Sequence, residues 1–357
     1  MKVAIVNDVH AGIRNDNKRF RDQFSRFFRE QFFPCIDALK IKTIVDLGDI
    51  VDRRSYINYA TSHMLHADYL APAADRDIEH HILAGNHDTF FKNDNSINAL
   101  YELIGDRYQF AQKHLYIDPA TIMLGDVETL LVPWMSPENK ERSVRAIKSS
   151  SARVCLGHLE LIGFETDGKV MEHGDDPALF DHFEFVGSGH YHHPSQRGNI
   201  TYFGAAMEYT WGDYNGIRGF HIFDTETMKF QRIVNPWKMH VKLWYDDSVA
   251  KNVNDVLDDL DANQLNGRVI KVIVKCRNNG LFFDEYMKVL DELDADIEVV
   301  EDHKHIDEIT MEDAVADLSE PLTLLDTHVD LIERDIDKAA LKLLLHDVHK
   351  EAMDRRA

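Results

Sequence analysis

The sequence has little cysteine, no long apolar run and a deficit of basic residues, and each shortage argues against a class of protein. Its three cysteines, Cys35, Cys155 and Cys276, are far apart and form no C-x-x-C pattern, which argues against a disulfide framework or a zinc ribbon. No stretch approaches the ~18 consecutive apolar residues of a membrane span, or the apolar region of a signal peptide. We therefore expect a cytoplasmic protein with no membrane partner.

The shortage of basic charge bears on nucleic acid as a partner. There are 40 lysines and arginines against 62 aspartates and glutamates, for a formal net charge of -22, whereas phosphate contacts need clustered Lys and Arg. Much of the acid lies late in the chain, in stretches such as 255–261 and 291–302. Metal ions can also supply positive charge where phosphate binds. The balance argues against a broad basic surface but does not exclude DNA.

What the sequence does contain is a set of short apolar runs, each ending in Gly, Asp, Asn or His. They are KVAIV before Asp8 and His10, KTIVDL before Gly48-Asp49, HHILA before Gly85-Asn86-His87-Asp88, RVCL before Gly157-His158, and FEFV before GSGHYHH at 187–193. Such runs predict buried strands, and the amphipathic stretches 18–40 and 56–70 between them predict helices. The alternation predicts a layered α/β domain, in which loops at the carboxyl ends of strands share one edge.

The polar residues at these strand ends are candidate metal ligands. A lone D-x-H or GNHD is also typical of helix caps and turns, but the five motifs together, in this order, indicate one site. The candidates are Asp8, His10, Asp49, Asn86, His158, His190 and His192. These donors are too many for one ion and suit two divalent ions ~3.5 to 4 Å apart that share a carboxylate. Oxygen and imidazole donors without thiolate favour Mn, Fe or Zn, and the arrangement predicts phosphoester hydrolysis.

The motifs resemble those of the calcineurin-like metallophosphoesterase superfamily, which implies a layered β-sandwich core with flanking helices. The resemblance implies that Asp8, His10, Asp49 and His192 hold one ion, and that Asp49, Asn86, His158 and His190 hold the other, with Asp49 bridging. His87 would be catalytic, protonating the leaving oxygen as a general acid. Further candidates are Asp52, as an orienter of His87, and Arg53 or Arg54, as phosphate contacts. We expect His193 to be no ligand, because adjacent side chains turn apart.

Within that superfamily the chain is similar to the SbcD-like, meiotic-recombination-eleven family of double-strand-break repair nucleases, including its phage members. GDIVDRR after the second strand and LLVPWM before CLGH carry this similarity. It implies a Mn-dependent DNA exonuclease and endonuclease, a homodimer, and the catalytic subunit of a recombination complex driven by an SMC-like coiled-coil ATPase. Two alternatives stay open: a cyclic-nucleotide phosphodiesterase or phosphoprotein phosphatase of the superfamily, and a non-catalytic adaptor that recruits the ATPase.

The pattern of elements predicts four parts of the chain. They are a metallophosphoesterase nuclease domain at 1–237, a small α/β capping domain facing DNA at 238–302, a polar linker at 303–320 and a helical segment at 321–357. The helical segment has more apolar surface than it can bury on itself. It either binds the ATPase, as the resemblance implies, or closes the preceding domain.

Two further features each have two interpretations. The stretches 56–70 and 94–104 predict helices that either mediate dimerisation, as in the resembled family, or pack on the sheet. Phe90 and Phe91 follow GNHD directly. They either pack in the core, as most aromatic side chains do, or stack on an unpaired base or wedge a duplex end. We favour core packing for this pair.

Overall fold

The computed structural model describes residues 1–105, 113–166, 169–258 and 260–301, and a few isolated residues beyond them. The predicted linker 303–320 and nearly all of the predicted helical segment 321–357 lie outside the described residues. The chain divides into one compact unit of Met1–Tyr209 and Asp213–Asp302 and a second of Thr210–Gly212 and His303–Ala357. Among the described residues, no helix is long and apolar enough to cross a membrane.

Two six-stranded sheets form the larger part of the first unit. One contains β1 (Lys2–Val6), β2 (Thr43–Asp46), β3 (Glu79–Leu83), β4 (Lys113–Tyr116), β13 (Gly219–Asp224) and β14 (Lys229–Val234), in the order β14-β13-β1-β2-β3-β4. The other contains β5 (Ala120–Leu124), β6 (Val127–Val132), β7 (Val154–His158), β10 (Phe185–Gly189), β11 (Ser195–Arg197) and β12 (Ile200–Tyr202), in the order β11-β12-β10-β7-β6-β5. A ribbon pairs β8 (Glu165–Thr166) with β9 (Lys169–Val170). Strands β1 to β4 run parallel, as do β6, β7, β10 and β12.

The helices lie between the strands. A helix over 18–39 joins α-helical Lys18–Arg26, π-helical Phe27–Phe32 and α-helical Phe33–Leu39, and one over 59–75 joins Tyr59–Leu65, π-helical His66–Leu70 and Ala71–Asp75. The others are π-helical Leu100–Ile104, α-helical Lys140–Ser149, Asn254–Leu257, Ala262–Leu265 and Gly280–Asp291, and 3-10 turns at Pro177–Phe180 and Trp211–Asp213; Ile13–Asp16 is a turn with left-handed residues. Asn17 and Asn58 cap the two long helices by accepting N–H bonds from Arg19 and Ala60, a common role for Asn.

The predicted helix over 94–104 is shorter in the structure, because within that stretch the helical element is Leu100–Ile104. The Asp94 carboxylate accepts the Ser96 N–H at 2.7 Å, and the Asn98 side chain accepts the Tyr101 N–H at 3.0 Å. Such local bonds offer the backbone an alternative to the helix. Asn98 therefore stands before the helical turn.

The core has three layers that follow from side-chain alternation along the strands. Val3 and Ile5 of β1 face the second sheet, where they join Leu131 and Leu156. Ala4 and Val6 face the opposite way, toward the aromatic side chains of helix 18–39. A third cluster covers the outer face of the second sheet. Burial on both faces explains the continuous apolar runs, and it confirms the predicted layered sandwich with flanking helices.

A separate three-stranded parallel sheet is formed by β15 (His240–Asp246), β16 (Val269–Cys276) and β17 (Asp296–Glu301), which pair in that order. Helix Gly280–Asp291 covers one face, where Tyr245, Val272 and Leu290 form a small core. The Glu208 carboxylate joins this sheet to the sandwich by accepting the N–H groups of Met239 and His240 at 2.8 and 3.0 Å.

Acid should destabilise the folded chain through His221 of β13. Its buried Nε2 accepts a hydrogen bond from Arg232 Nε at 3.2 Å, and burial, aided by Arg232, lowers the pKa of His221 from 6.5 to about 3. Between these values the unfolded chain binds a proton that the folded chain does not, which costs ~1.4 kcal/mol of stability per pH unit. The stability of wild type should therefore fall about 3 kcal/mol more than that of His221→Gln over the two pH units below 6.5. Denaturant unfolding at several pH values measures this, and parallel curves would contradict it.

Candidate metal centre

All the predicted ligands lie at one edge of the sandwich. Asp8 and His10 follow β1, Asp49 follows β2 and Asn86 follows β3; His158 ends β7, and His190 and His192 follow β10. Because these strands run parallel to their neighbours within each sheet, their carboxyl ends emerge together. The expected convergence of the strand-end motifs is present.

One group of donors consists of Asp8, His10 and His192, whose ligand atoms lie within 4.8 Å of one another. The Nε2 atoms of His10 and His192 are 3.0 Å apart. Asp8 is fully buried, and its carboxylate accepts the backbone N–H of His190 at 3.1 Å. Donors bound ~2.1 Å from one ion stand ~3 Å apart, so the spacing of these atoms fits a shared metal ion.

A second group consists of Asp49, His158 and His190, with ligand atoms again within 4.8 Å. Asn86 joins it, because its Oδ1 lies 2.9 Å from both His158 Nε2 and His190 Nδ1. Asp49 Oδ2 lies 3.4 Å from His158 Nε2 and 3.6 Å from His10 Nε2 of the first group. One carboxylate oxygen thus faces both groups, the position that a bridging ligand needs. The structure brings the donors together in the predicted grouping, and their role as ligands stays a prediction.

The backbone at the site is strained. Asp8, His10, Asp49 and His190 have φ values of 49°, 44°, 56° and 84°, in the left-handed region that non-glycine residues rarely adopt. Each such residue costs ~1–3 kcal/mol, and strain of this kind clusters at functional sites. The strained backbone lowers the stability of the fold, and it directs these side chains toward the donor groups.

Burial and neighbouring charges set the protonation of the donors. Burial and the neighbouring His87 lower the pKa of His10 well below its usual value, which leaves a neutral imidazole able to bind a metal. Burial alone would raise the pKa of Asp49, but the imidazoles of His158, His87 and His10 hold it well below its usual range. Burial alone would lower the pKa of His158, but Asp49 raises it to about 9. An ion bound at His158 must therefore displace a proton, so affinity should rise with pH.

Asp88, the last residue of GNHD, joins two of the ligand loops, a role that the sequence did not predict. It is fully buried, and its carboxylate accepts the N–H groups of Asp49 and Gly85 at 2.8 Å and of Val51 at 3.1 Å. Burial, together with the charge of Asp49, raises the pKa of Asp88 to about 7. The loops after β2 and β3 are thereby fixed to each other.

Replacing Gly85 with Ala should empty the metal centre. A Cβ at Gly85 would overlap both the side-chain Oδ1 and the backbone N of Asp49, so the shared carboxylate must move. We expect most bound metal to be lost, while the apolar core is untouched. Metal analysis of purified protein measures this. Gly280→Ala is the control because a Cβ there meets nothing within 4 Å, and equal metal content in the two variants would contradict the expectation.

His87 lies beside the first group. Its backbone N–H donates to Asp49 Oδ1 at 2.8 Å, and its ring Nδ1 lies 2.5 Å from the Asp52 carbonyl oxygen. The His87 ring meets the His10 ring edge to face, with centroids 4.8 Å apart. A carbonyl on Nδ1 fixes this nitrogen as the donor and directs Nε2 elsewhere. His10, Asp49 and His87 also form a third group within 4.8 Å. The position therefore suits a proton donor and a ligand alike.

The three remaining candidates occupy different positions. Asp52 reaches His87 through its carbonyl oxygen, while its carboxylate Oδ1 lies 3.8 Å from His10 Nδ1. The Arg53 guanidinium is engaged by the Asp16 carboxylate at 2.8 Å and by the Gly12 carbonyl. Arg54 has a buried Nη1 with no hydrogen-bond partner among the described residues, and burial lowers its pKa. Of the two arginines, Arg54 is the one whose guanidinium has an N–H group left without a partner among the described residues.

Besides Asp88, three residues that contact the predicted ligands were not predicted from the sequence. The Trp134 ring lies 5.3 Å from that of His190, the Tyr209 ring lies 5.5 Å from that of His10, and Glu160 Oε1 lies 3.9 Å from His190 Nε2. Tyr209 also donates its hydroxyl to the Asp8 carbonyl at 2.6 Å. Trp134 belongs to LLVPWM, a segment that carries the family resemblance but no predicted role in the site. The sequence around Tyr209 carries no signal of its position.

His193 differs from its neighbours His190 and His192. Its Nε2 lies 3.3 Å from Asp213 Oδ1, and the same carboxylate receives a hydrogen bond from Arg218 at 2.5 Å. Arg218 in turn donates to the His192 carbonyl at 2.7 Å. The His193 side chain contacts Asp213, which is in neither donor group.

Comparisons with known proteins agree with this geometry. Residues 1–218 match the family model described as calcineurin-like phosphoesterase. The chain is 32% identical to exonuclease subunit 1 of Enterobacteria phage T4 over 82% of this chain and 83% of the relative. It is 24% identical to a subunit of the nuclease SbcCD of Staphylococcus epidermidis, over 63% of this chain and 66% of that protein.

Among solved structures, an archaeal phosphodiesterase matches with a TM-score of 0.31 and 14% identity, over 66% of this chain and 100% of its own. The family match spans more than half of the chain and includes every predicted ligand. It confirms the resemblance that the strand-end motifs carry. The chain belongs to the calcineurin-like phosphoesterase family, whose members are hydrolases.

Proposed function

We propose that the chain is a DNA nuclease that hydrolyses phosphodiester bonds with two divalent metal ions, Mn²⁺ in the cell. The observation that carries this proposal is the position of Asp49 Oδ2 between two groups of imidazole and oxygen donors. Similarity to an exonuclease subunit over most of both chains supports DNA as the substrate. The donor set lacks thiolate, which favours Mn²⁺ over a structural zinc site.

The residues divide the work of hydrolysis. Bound ions would neutralise phosphate charge and lower the pKa of an attacking water. Asp8, His10 and His192 would hold one ion, and Asn86, His158 and His190 would hold the other, with the Asp49 carboxylate available to both. His87 donates a proton from Nε2 to the leaving oxygen, while the Asp52 carbonyl keeps its ring in place. Arg54 binds a phosphate oxygen.

The proposed function includes a division of the chain into four parts, an ATPase partner and a homodimer. We propose the same four parts of the chain, 1–237, 238–302, 303–320 and 321–357, and we propose that the last part binds an SMC-like coiled-coil ATPase in the cytoplasm. A homodimer is supported by the exposed side chains of Tyr59, Ile97 and Tyr101, which are 93%, 47% and 45% exposed. Contiguous apolar patches mark contacts with other molecules, and these three side chains are the candidates for such a patch.

A substrate screen in Mn²⁺ tests the proposed activity. Purified protein is offered linear duplex DNA, circular single-stranded DNA, a cyclic nucleotide and a phosphopeptide, each with and without EDTA. We expect EDTA-sensitive degradation of DNA, with the other two substrates untouched. Turnover of the cyclic nucleotide or the phosphopeptide with DNA intact would favour the rival enzymes, and absence of both bound metal and turnover would favour the adaptor.

Arg54 should matter more than its neighbour Arg53. Arg54→Gln removes the guanidinium whose Nη1 lacks a partner among the described residues, and a charge-assisted bond to phosphate contributes ~1.5–3 kcal/mol. We expect kcat/KM on DNA to fall roughly 10- to 150-fold. Arg53→Gln is the matched control, because its guanidinium already pairs with Asp16. Equal losses in the two variants would contradict the assignment.

A further inference from the structure

Phe90 and Phe91 are exposed on the surface next to the metal centre. Their side chains are 44% and 43% exposed, so the prediction that they pack in the core is wrong. The two rings meet edge to face, with centroids 4.8 Å apart and an interplanar angle of 90°. Aromatic side chains are usually buried, so an exposed pair beside a reaction centre suggests that these two rings bind a ligand.

The backbone that carries the two rings is fastened at both ends. The Phe90 N–H donates to the Ile97 carbonyl at 2.9 Å, Thr89 forms a β-bridge with Asn98, and the Ala99 N–H donates to the Asp88 carbonyl at 2.7 Å. The carboxylate of Asp88 in turn accepts the N–H of Asp49. The buried Asp88 therefore fixes both the shared metal ligand and the loop with the aromatic pair.

The rings are close enough to the centre to reach the substrate near its cleaved bond. Phe90 follows His87 by three residues, so their Cα atoms are at most ~11 Å apart. A stacked strand rises ~3.4 Å per nucleotide. A base within about three nucleotides of a phosphate at the centre thus lies within reach of the pair.

The size of the apolar patch favours a nucleobase over a second copy of the chain. A phenylalanine offers ~200 Å², so two rings less than half exposed present ~200 Å² together. A stable protein interface needs ~800 Å² from each partner. The residues Lys92 to Ser96 that continue the loop are all polar, and Ile97, whose carbonyl accepts the Phe90 N–H, is 47% exposed and adds one aliphatic side chain to the patch. The patch therefore stays well below the area of a stable interface. An area of this size suits one or two flat bases.

We propose that Phe90 and Phe91 stack on an unpaired base beside the scissile phosphate, so that the enzyme selects DNA ends whose terminal pair has opened. This inference rests on the proposed nuclease function and names the form of DNA that the site accepts. Stacking on an aromatic side chain contributes roughly a 5- to 150-fold gain in binding per base. That gain offsets the opening of a terminal pair and leaves internal duplex disfavoured.

The test combines a variant with a matched change in the DNA. Wild type and Phe90→Ala/Phe91→Ala are compared in Mn²⁺ on a blunt duplex, on the same duplex with abasic residues at its end, and on bis(p-nitrophenyl) phosphate, which carries no base. Met123→Ala is the control, since Met123 is 59% exposed on β5, outside both the loop and the proposed dimer contact, and Tyr101→Ala reports the effect of losing that contact. Melting temperature and metal content establish that the variants fold.

We expect the double variant to lose roughly 5- to 150-fold in kcat/KM on the blunt duplex and to keep its rate on bis(p-nitrophenyl) phosphate. Abasic ends should slow wild type by a similar factor and leave the double variant unchanged. A double variant that degrades the blunt duplex at the wild-type rate would overturn the stacking role and leave the nuclease function standing. Equal losses from abasic ends in the two proteins would do the same. So would a double variant that becomes monomeric and loses rate as Tyr101→Ala does. Wild type that cleaves bis(p-nitrophenyl) phosphate but no DNA would refute the nuclease function as well.

Discussion

Asp49→Asn is expected to reduce hydrolysis of DNA by at least about 1,000-fold. Asp49 Oδ2 lies 3.4 Å from His158 Nε2 and 3.6 Å from His10 Nε2, so the substitution removes negative charge from both groups at once. Stabilisation of developing charge by metal ions contributes several kcal/mol, and each 1.36 kcal/mol is tenfold in rate. The amide keeps the size of the side chain and an oxygen for the His87 N–H, so the fold should persist.

The measurement pairs initial rates on DNA with metal content per chain. Asp37→Asn is the matched control, because Asp37 pairs with Arg76 at 2.8 Å and belongs to none of the donor groups. We expect the control to keep its ions and its rate. Two tightly bound ions and a wild-type rate in Asp49→Asn would contradict the bridging role.

His87→Gln is expected to lose ~10²- to 10⁴-fold in kcat on DNA, the usual contribution of a general acid, while keeping both ions. The reason lies in the leaving group, since a sugar oxygen needs a proton as the bond breaks. A p-nitrophenolate leaves without one, so hydrolysis of bis(p-nitrophenyl) phosphate should fall far less. Gln also keeps a side-chain amide where the imidazole stood. The ratio of the two losses is therefore the measurement that identifies a proton donor.

Loss of metal in His87→Gln would instead identify His87 as a ligand, as its place in a group with His10 and Asp49 allows. Equal losses on both substrates with full metal content would point to binding of the phosphate. His182→Gln is the control, because His182 is exposed just after the 3-10 turn Pro177–Phe180. It should behave as wild type on both substrates.

The sequence predicted the donors because position along a strand determines where a residue lies. Asp8 and His10 follow an apolar run that can only be a buried strand, and so does Asp49. Parallel pairing of β1 with β2 then brings these residues to one edge. The same reasoning predicted the layered fold, since runs apolar on both faces require cover on both faces.

Features that depend on contacts between distant segments could not be predicted in this way. Tyr209 reaches Asp8 across 201 positions of the chain, and no local pattern records that contact. The engagement of Arg53 by Asp16 depends on a turn with left-handed residues at Ile13–Asp16. Exposure of Phe90 is set by the bonds that fasten its loop to Ile97, whereas composition alone favoured burial.

The most direct test of the central claim is the number of Mn²⁺ ions bound per chain in wild type and in three histidine variants. We expect two ions in wild type, loss of one in His190→Ala and of one in His192→Ala, and full occupancy in His193→Ala. His193 contacts Asp213 at 3.3 Å, whereas His190 and His192 belong to different donor groups. A wild type that binds fewer than two ions, or a His193→Ala that loses one, would contradict the central claim.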